Sequence, residues 1–267
     1  MTAVVTAPGA GILEVEGVAV HFGGLIAISD MHFHVKQGEL LSLIGPNGAG
    51  KTTAFNVITG FQRPTSGRVL FQGRPLTGLK PHEVTALGLV RTFQRTSVFE
   101  KVSVFENLLI GLHRRQSARL FGTLLHLPAE RALEKQLREQ AWQILETVGI
   151  AEQAHELGGN LAYGDQRLLG VALALAADPK ALLLDEPVSG MNATETARFV
   201  GLLKRLRENG MTILLVEHDM PMVMSISDRI VVLNYGRIIA DGPPAVIQKD
   251  PDVIKAYLGG GVKHVGN

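Results

Sequence analysis

Apolar and polar positions alternate from Ile12 to Val20, with branched residues prominent, and this period of two predicts a strand. Glu39–Ile44 is almost continuously apolar, the pattern of a strand buried on both faces. A glycine-rich turn follows, then a helical stretch over Lys51–Thr59 that Gly60 closes as a C-terminal cap. Arg68–Gln72 predicts a further strand, turned by Gly73. The first third therefore reads as an antiparallel β layer around one β–loop–α unit.

Between Val102 and Gly149 the strand pattern gives way to a helical one. Leu133, Leu137, Ala141, Ile144, Leu145 and Val148 recur mostly three and four apart and mark one face of an amphipathic helix. Its other face carries Glu134 with Arg138 and Lys135 with Glu139, as a solvated face does. Arg114, Arg115 and Arg119 form a small basic cluster upstream, read as a surface loop.

Strand and helix alternate again in the last third. Ala181–Leu184 and Met211–Val216 are apolar strands on either side of a helix over Thr194–Glu208, which Asn209-Gly210 ends. Arg229–Leu233 and Arg237–Ala240 flank a hairpin-like turn at Asn234-Tyr235-Gly236. The order is α/β with an all-helical insertion.

Composition narrows this picture. The 267 residues hold 26 basic and 25 acidic side chains, a net charge of +1 that gives no basic footprint for nucleic acid. The absence of cysteine excludes a disulfide scaffold, thiol catalysis and sulfur-ligated zinc. The most apolar windows, Leu168–Ala177 and Met211–Val216, stop well short of the ~20 residues a membrane-spanning helix needs. The start has neither a basic leader nor a long apolar run, and Pro8, Gly9 and Gly11 suggest a disordered tail over residues 1–11. The expectation is a chain that stays where it is made. A mean hydropathy of +0.18 fits either a large aliphatic core or a surface that a partner covers.

The chemistry is concentrated in two segments. Gly45, Pro46, Asn47, Gly48, Ala49, Gly50, Lys51 and Thr52, with Thr53 following, fit the phosphate-loop pattern G-x-x-x-x-G-K-[ST]. Glycines let successive backbone N–H groups converge on phosphate oxygens while the next helix offers its positive end. Lys51 is placed to reach the β- and γ-phosphates, and the Thr52 hydroxyl to ligate Mg²⁺. The second segment, Leu182-Leu183-Leu184-Asp185-Glu186-Pro187, is an apolar strand ending in two carboxylates. Asp185 would help hold Mg²⁺, and Glu186 would orient and polarise the attacking water.

Between them Asn160–Arg167 opens a helix running to about Ala177. With this segment in place the chain resembles the ATP-binding subunits of ABC transporters from Ile12 to Leu258. The resemblance implies a RecA-like P-loop NTPase core with an antiparallel β subdomain and an inserted helical subdomain at about 95–165, then a C-terminal tail at 259–267. It implies that Phe22 stacks on adenine, that Gln94 contacts Mg²⁺ and links core to insertion, and that His218 contacts the γ-phosphate. Lys51, Gln94, Glu186 and His218 are then the catalytic set, with Thr52, Gln94 and Asp185 on the metal. Ser189–Asn192 matches the loop that crosses to a partner subunit, with Asn192 where the commoner form has Asp.

The signature segment departs from the common Leu-Ser-Gly-Gly-Gln form: Ala162 stands for serine, and Tyr163 and Asp165 for Gly and Gln. Ala162, Tyr163, Gly164 and Asp165 would meet the nucleotide of the opposing subunit, Gly164 through its backbone N–H. One charge-assisted hydrogen bond fewer weakens a closed ATP dimer by about 1.5–3 kcal/mol.

The Leu-Ala-Tyr-Gly-Asp-Gln string is similar to that of branched-chain (hydrophobic) amino-acid importer ATPases. So are Phe22-Gly-Gly24, Gly88–Gln94, Glu217-His-Asp-Met220, the long Leu112–Glu130 stretch and the ending Asp250–Leu258. The implied protein is an ATP-hydrolysing subunit on the cytoplasmic face of the inner membrane. It would pair head-to-tail with a second ATPase subunit, act through separate permease subunits and, indirectly, a solute-binding protein, and bind no nucleic acid. ATPases for urea or amide uptake, for lipopolysaccharide export, and soluble non-transport ABC ATPases are the competing expectations.

Overall fold

The computed structural model describes residues 11–92, 98–116 and 128–258. Strands β1 (Leu13–Phe22), β2 (Leu25–Val35) and β3 (Leu40–Ile44) lead into helix α1 (Lys51–Ile58). Strands β4 (Ser66–Phe71) and β5 (Arg74–Pro75), helix α2 (Pro81–Ala86) and strand β6 (Leu89–Arg91) follow. Three helices come next, α3 (Val104–Gln116), α4 (Pro128–Val148) and α5 (Tyr163–Ala176). The chain continues through β7 (Ala181–Asp185), α6 (Ala193–Glu208), β8 (Thr212–Val216) and α7 (Met220–Ile226). The hairpin β9 (Arg229–Asn234) and β10 (Arg237–Gly242) precedes α8 (Pro244–Ile247) and α9 (Pro251–Leu258).

Two compact units divide these elements. The first comprises Met1–Leu89, Lys180–Glu186 and Leu203–Asn267; the second, Val90–Pro179 and Pro187–Leu202. In the first, an antiparallel sheet has the order β2-β1-β4-β5. A second sheet has the order β10-β9-β3-β8-β7-β6, with β3 paired in parallel to both β8 and β9 and β7 in parallel to β8. Every residue of β3, β7 and β8 is buried, as strands covered on both faces require.

Phe55 and Ile58 of α1 are fully buried in one core with Ile28, Met31 and Phe33 of β2 and Leu41 and Leu43 of β3. Truncating a ring such as Phe55 to Ala there costs about 3–5 kcal/mol. That core holds the start of α1 fixed beneath the loop 45–50.

The second unit is helical. Leu137, Ala141, Leu145 and Val148 of α4 are buried, the face foreseen from the spacing, and Phe105 of α3 meets Trp142 at 5.1 Å between ring centroids. On the solvated face Arg138 reaches Glu134 at 3.0 Å and Lys135 reaches Glu139 at 3.8 Å.

Where the pattern names an element its limits match to within a few residues, and β2, β5, α2, β6, α7 and α8 are additions to it. Of the expected N-terminal tail, residues 1–10 lie outside the described residues, while Gly11 is buried: a Cβ there would lie 2.7 Å from the Val35 carbonyl. Gly11 is thus packed against β2, and the next residue, Ile12, donates to Val35 O at 2.7 Å. The tail at 259–267, Arg119 and the side chains of Arg114 and Arg115 also lie outside the described residues. No described helix is long and apolar enough to cross a membrane.

Candidate active site

The parallel register brings three strand ends to one edge of the sheet. Val216 of β8 is level with Leu43 of β3 on one side and with Asp185 of β7 on the other. Loop 45–50, the two carboxylates and His218 therefore emerge together, where ligands bind in open parallel sheets.

The loop takes the shape it does because glycine is obligatory at its ends. Gly45 has φ 154° and a Cβ there would lie 2.0 Å from the Leu233 carbonyl; Gly50 has φ 106° and a Cβ would lie 2.7 Å from Ala27 O. Gly48, at φ 79°, faces open space. Gly50 also caps α1, with no side-chain hydrogen bond and no acidic residue in the first turn. The first N–H groups of α1 are left to an external acceptor, as an anion site requires.

Lys51 is only 8% exposed and donates to the carbonyls of Gly45 (2.7 Å) and Pro46 (3.1 Å). Burial pulls its pKa down, with the Glu186 and Asp185 carboxylates opposing. Thr52 is exposed on the first turn of α1 and Thr53 half-buried. Ala49 accepts a hydrogen bond from Gly236 N at 2.9 Å, so the β9–β10 turn braces the loop. The Tyr257 phenol of α9 is pushed up to about 12 by burial, and the backbone at Gly45 pulls the other way. Tyr257 packs against the cluster that contains Ile44, the last residue of β3 before the loop.

Asp185 ends β7 at 5% exposure. Glu186 adopts φ 46°, rare for a residue with a side chain, and donates its N–H to Val216 O at 2.9 Å. That strained backbone fixes where the carboxylate leaves the strand. His218 Nδ1 lies 3.9 Å from Glu186 Oε2 and 3.8 Å from Glu217 Oε2. Phe22 ends β1, 48% exposed, opposite Leu25 across the Gly23-Gly24 turn. Gln94 lies outside the described residues.

The residues present fit a nucleotide and Mg²⁺. The loop is a cradle of backbone amides with no room for side chains at Gly45 and Gly50, beside a buried cation. No described group of three His, Asp or Glu could hold a metal alone. Mg²⁺ asks only for one or two protein oxygens beside water and phosphate, and Thr52 and Asp185 are oxygen donors of that kind.

In the helical unit the signature residues are held differently. Ala162 caps α5 without a side-chain hydrogen bond. The Tyr163 hydroxyl donates to Ser189 O at 2.9 Å, under the Arg167 guanidinium. Asp165 pairs with Arg198 at 2.6 Å. The Gly164 N–H, expected to await a phosphate, donates to Glu195 Oε1 at 3.3 Å. Glu195 belongs to a capping box: it accepts from Asn192 N at 2.9 Å while its own N–H reaches Asn192 Oδ1 at 3.0 Å. Asn192 is thus a helix cap, a role Asn fills as well as Asp. Glu195 and Arg198 were not singled out from the sequence, although Asn192-x-x-Glu195 is the capping-box spacing.

A family model described as ABC transporter matches residues 28–189, and one described as branched-chain amino acid ATP-binding cassette transporter matches 237–263. The chain is 46% identical over 249 residues to the high-affinity branched-chain amino acid transport ATP-binding protein BraF of Pseudomonas aeruginosa, covering 93% of this chain and 98% of that one. It is 45% identical, with the same coverage, to the corresponding protein LivG of Escherichia coli. Among solved structures it is similar to the ADP conformation of an ATP-binding cassette of an ABC transporter, with TM-score 0.80, 31% identity, and 92% and 98% of the two chains covered. Sequence likeness along nearly the whole chain and a matching cassette fold agree with the phosphate loop and its facing carboxylates: the chain belongs to the ATP-binding subunits of ABC transporters and is an ATPase.

Proposed function

We propose that the chain hydrolyses ATP to drive uptake of branched-chain or other hydrophobic amino acids through separate permease subunits at the cytoplasmic face of the inner membrane. The observation that carries the reaction is the meeting of Lys51, Asp185, Glu186 and His218 around one loop of open backbone amides. The solute class is supported by the relatives' names and by the match of segment 237–263 to the branched-chain amino acid cassette model. Delivery by a solute-binding protein is part of the same reading.

In this reading the phosphate chain lies on the amides of Gly45–Thr53, and Lys51 leaves the Gly45 and Pro46 carbonyls for phosphate oxygens. Phe22 offers an exposed ring to the adenine. Thr52, Asp185 and Gln94 would hold Mg²⁺, which would supply neutralisation of the phosphate charge. Glu186 orients the attacking water and takes up its proton, and His218 holds the γ-phosphate from the far side. Ala162–Asp165, on a helical subdomain spanning about 95–165, close over the nucleotide of a second ATPase subunit, with Ser189–Asn192 crossing between the two.

Glu186→Gln tests this directly. ATP binding is retained, turnover falls by about 10²–10⁴-fold, and an ATP-bound dimer accumulates in sedimentation. Near-normal hydrolysis removes Glu186 from the mechanism. Reconstitution with co-purified membrane partners, followed by a solute screen for stimulated ATPase activity, tests the solute class; stimulation by urea or amides alone overturns it.

A further inference from the structure

β8 is apolar and wholly buried, and the residue that ends it is a carboxylate. Glu217 is 0% exposed. Burying a carboxylate costs several kcal/mol unless it is paired and hydrogen-bonded, whereas an apolar side chain carries no such penalty, so the polar groups Glu217 meets are what hold it there. Its place is specific: it follows Val216, which is level with Leu43 before the phosphate loop and with Asp185 before Glu186.

Glu217 Oε2 accepts the backbone N–H of His218 at 3.0 Å and lies 3.8 Å from the Nδ1 of the same residue. Glu186 Oε2 lies 3.9 Å from that nitrogen. Nδ1 thus faces two carboxylates, one buried and one at the reaction centre, while the imidazole is 57% exposed. Which ring nitrogen carries a proton, and where the other points, is set by what each faces. Both carboxylates attract the ring by its Nδ1 edge, and Nε2 belongs to the opposite edge of the imidazole. Among the described residues, other charged groups at this edge include Lys51, which both Asp185 and Glu186 attract, and Asp219, which caps α7 by accepting from Met222 N at 2.9 Å.

We propose that Glu217 is a positioning residue for hydrolysis: its buried carboxylate holds the His218 ring by Nδ1, so that Nε2 is offered to the transferred phosphoryl group and Nδ1 is shared with Glu186. The inference rests on the reading of His218 given above and extends it by one residue. A glutamate before the histidine is then part of the active site rather than of the core.

The test is a double-mutant cycle on the full-length chain, with ATP turnover measured at varied ATP. Glu217→Gln keeps the shape and removes the charge; it is expected to lower kcat about tenfold, the scale of a small misplacement of a reacting group, with KM changed less than about twofold. In a His218→Ala background the same substitution is expected to change kcat by less than about twofold, because there is no ring left to hold. Equal losses with and without His218, or wild-type kcat in Glu217→Gln, overturn the proposal. If His218→Ala itself leaves turnover unchanged, the reading of His218 has failed instead. Should Glu217→Gln not fold, as a thermal melt will show, Glu217→Asp, which keeps the charge but shortens its reach, is read in the same cycle.

Discussion

Two helix N-termini carry the anion-binding segments of this chain, and they are finished in opposite ways. α1 begins after a left-handed glycine, with no side-chain cap and no acid in its first turn, beside the buried ammonium of Lys51. α5 begins with Asp165 in its first turn, paired to Arg198, and with the Gly164 N–H already given to Glu195. A helix start attracts anions through its unpaired N–H groups and its dipole. The first helix leaves that attraction available; the second has partly satisfied it from within. The phosphate loop is therefore open to an anion, whereas in the proposed function the signature helix would exchange an internal carboxylate for a phosphate.

The largest effect tests the open end. Lys51→Met keeps most of the buried stem and removes the charge. ATP affinity, measured by calorimetric titration, is expected to fall by about 100-fold, because opposite charge in a poorly solvated cradle is worth several kcal/mol. A variant that binds ATP within a few-fold of the parent would show that the loop amides suffice and that the contrast with α5 is overstated.

A smaller effect tests the occupied end. Glu195→Gln keeps one acceptor oxygen for the Asn192 N–H but removes the negative charge facing Gly164. A charge at a helix N-terminus is worth about 0.3–1 kcal/mol. The ATP-driven dimer, followed by sedimentation in the non-hydrolysing Glu186→Gln background, is expected to tighten by about two- to fivefold. A weaker dimer would make Glu195 a strut that the signature helix needs.

This contrast also marks what could be read in the sequence. The open end was legible because it is local: Gly45 to Thr52 lie between an apolar strand and a helix, and each contributes through its own backbone or a short side chain. Asp185 and Glu186 were legible for the same reason. The occupied end was not, because it depends on contacts across 31 residues between Gly164 and Glu195 and 33 between Asp165 and Arg198, set by how α5 and α6 approach. β2 escaped the pattern although Met31, Phe33 and Val35 are buried in alternation, since Leu25 and Ile26 at its start are exposed and blur the period. That Val216 stands level with both Leu43 and Asp185 is a matter of sheet order, which local pattern does not contain.

The smallest effect concerns what the open end does to stability. Lys51 is buried, and desolvation holds its pKa below the ordinary lysine value of 10.5 despite Glu186 and Asp185. Below its lowered folded pKa the lysine is protonated in both folded and unfolded chains, and there the folded form bears the full desolvation penalty. Between the lowered folded pKa and 10.5 the folded chain binds fewer protons than the unfolded one, so the free energy of unfolding rises with pH. Lys51→Met has no such proton to lose. The stability of the parent relative to Lys51→Met, from denaturant titrations of both, is therefore expected to increase as pH is raised through that window toward 10.5. The opposite slope would mean that the carboxylates outweigh burial, and that the phosphate loop is held together by its lysine rather than kept under tension for the arrival of phosphate.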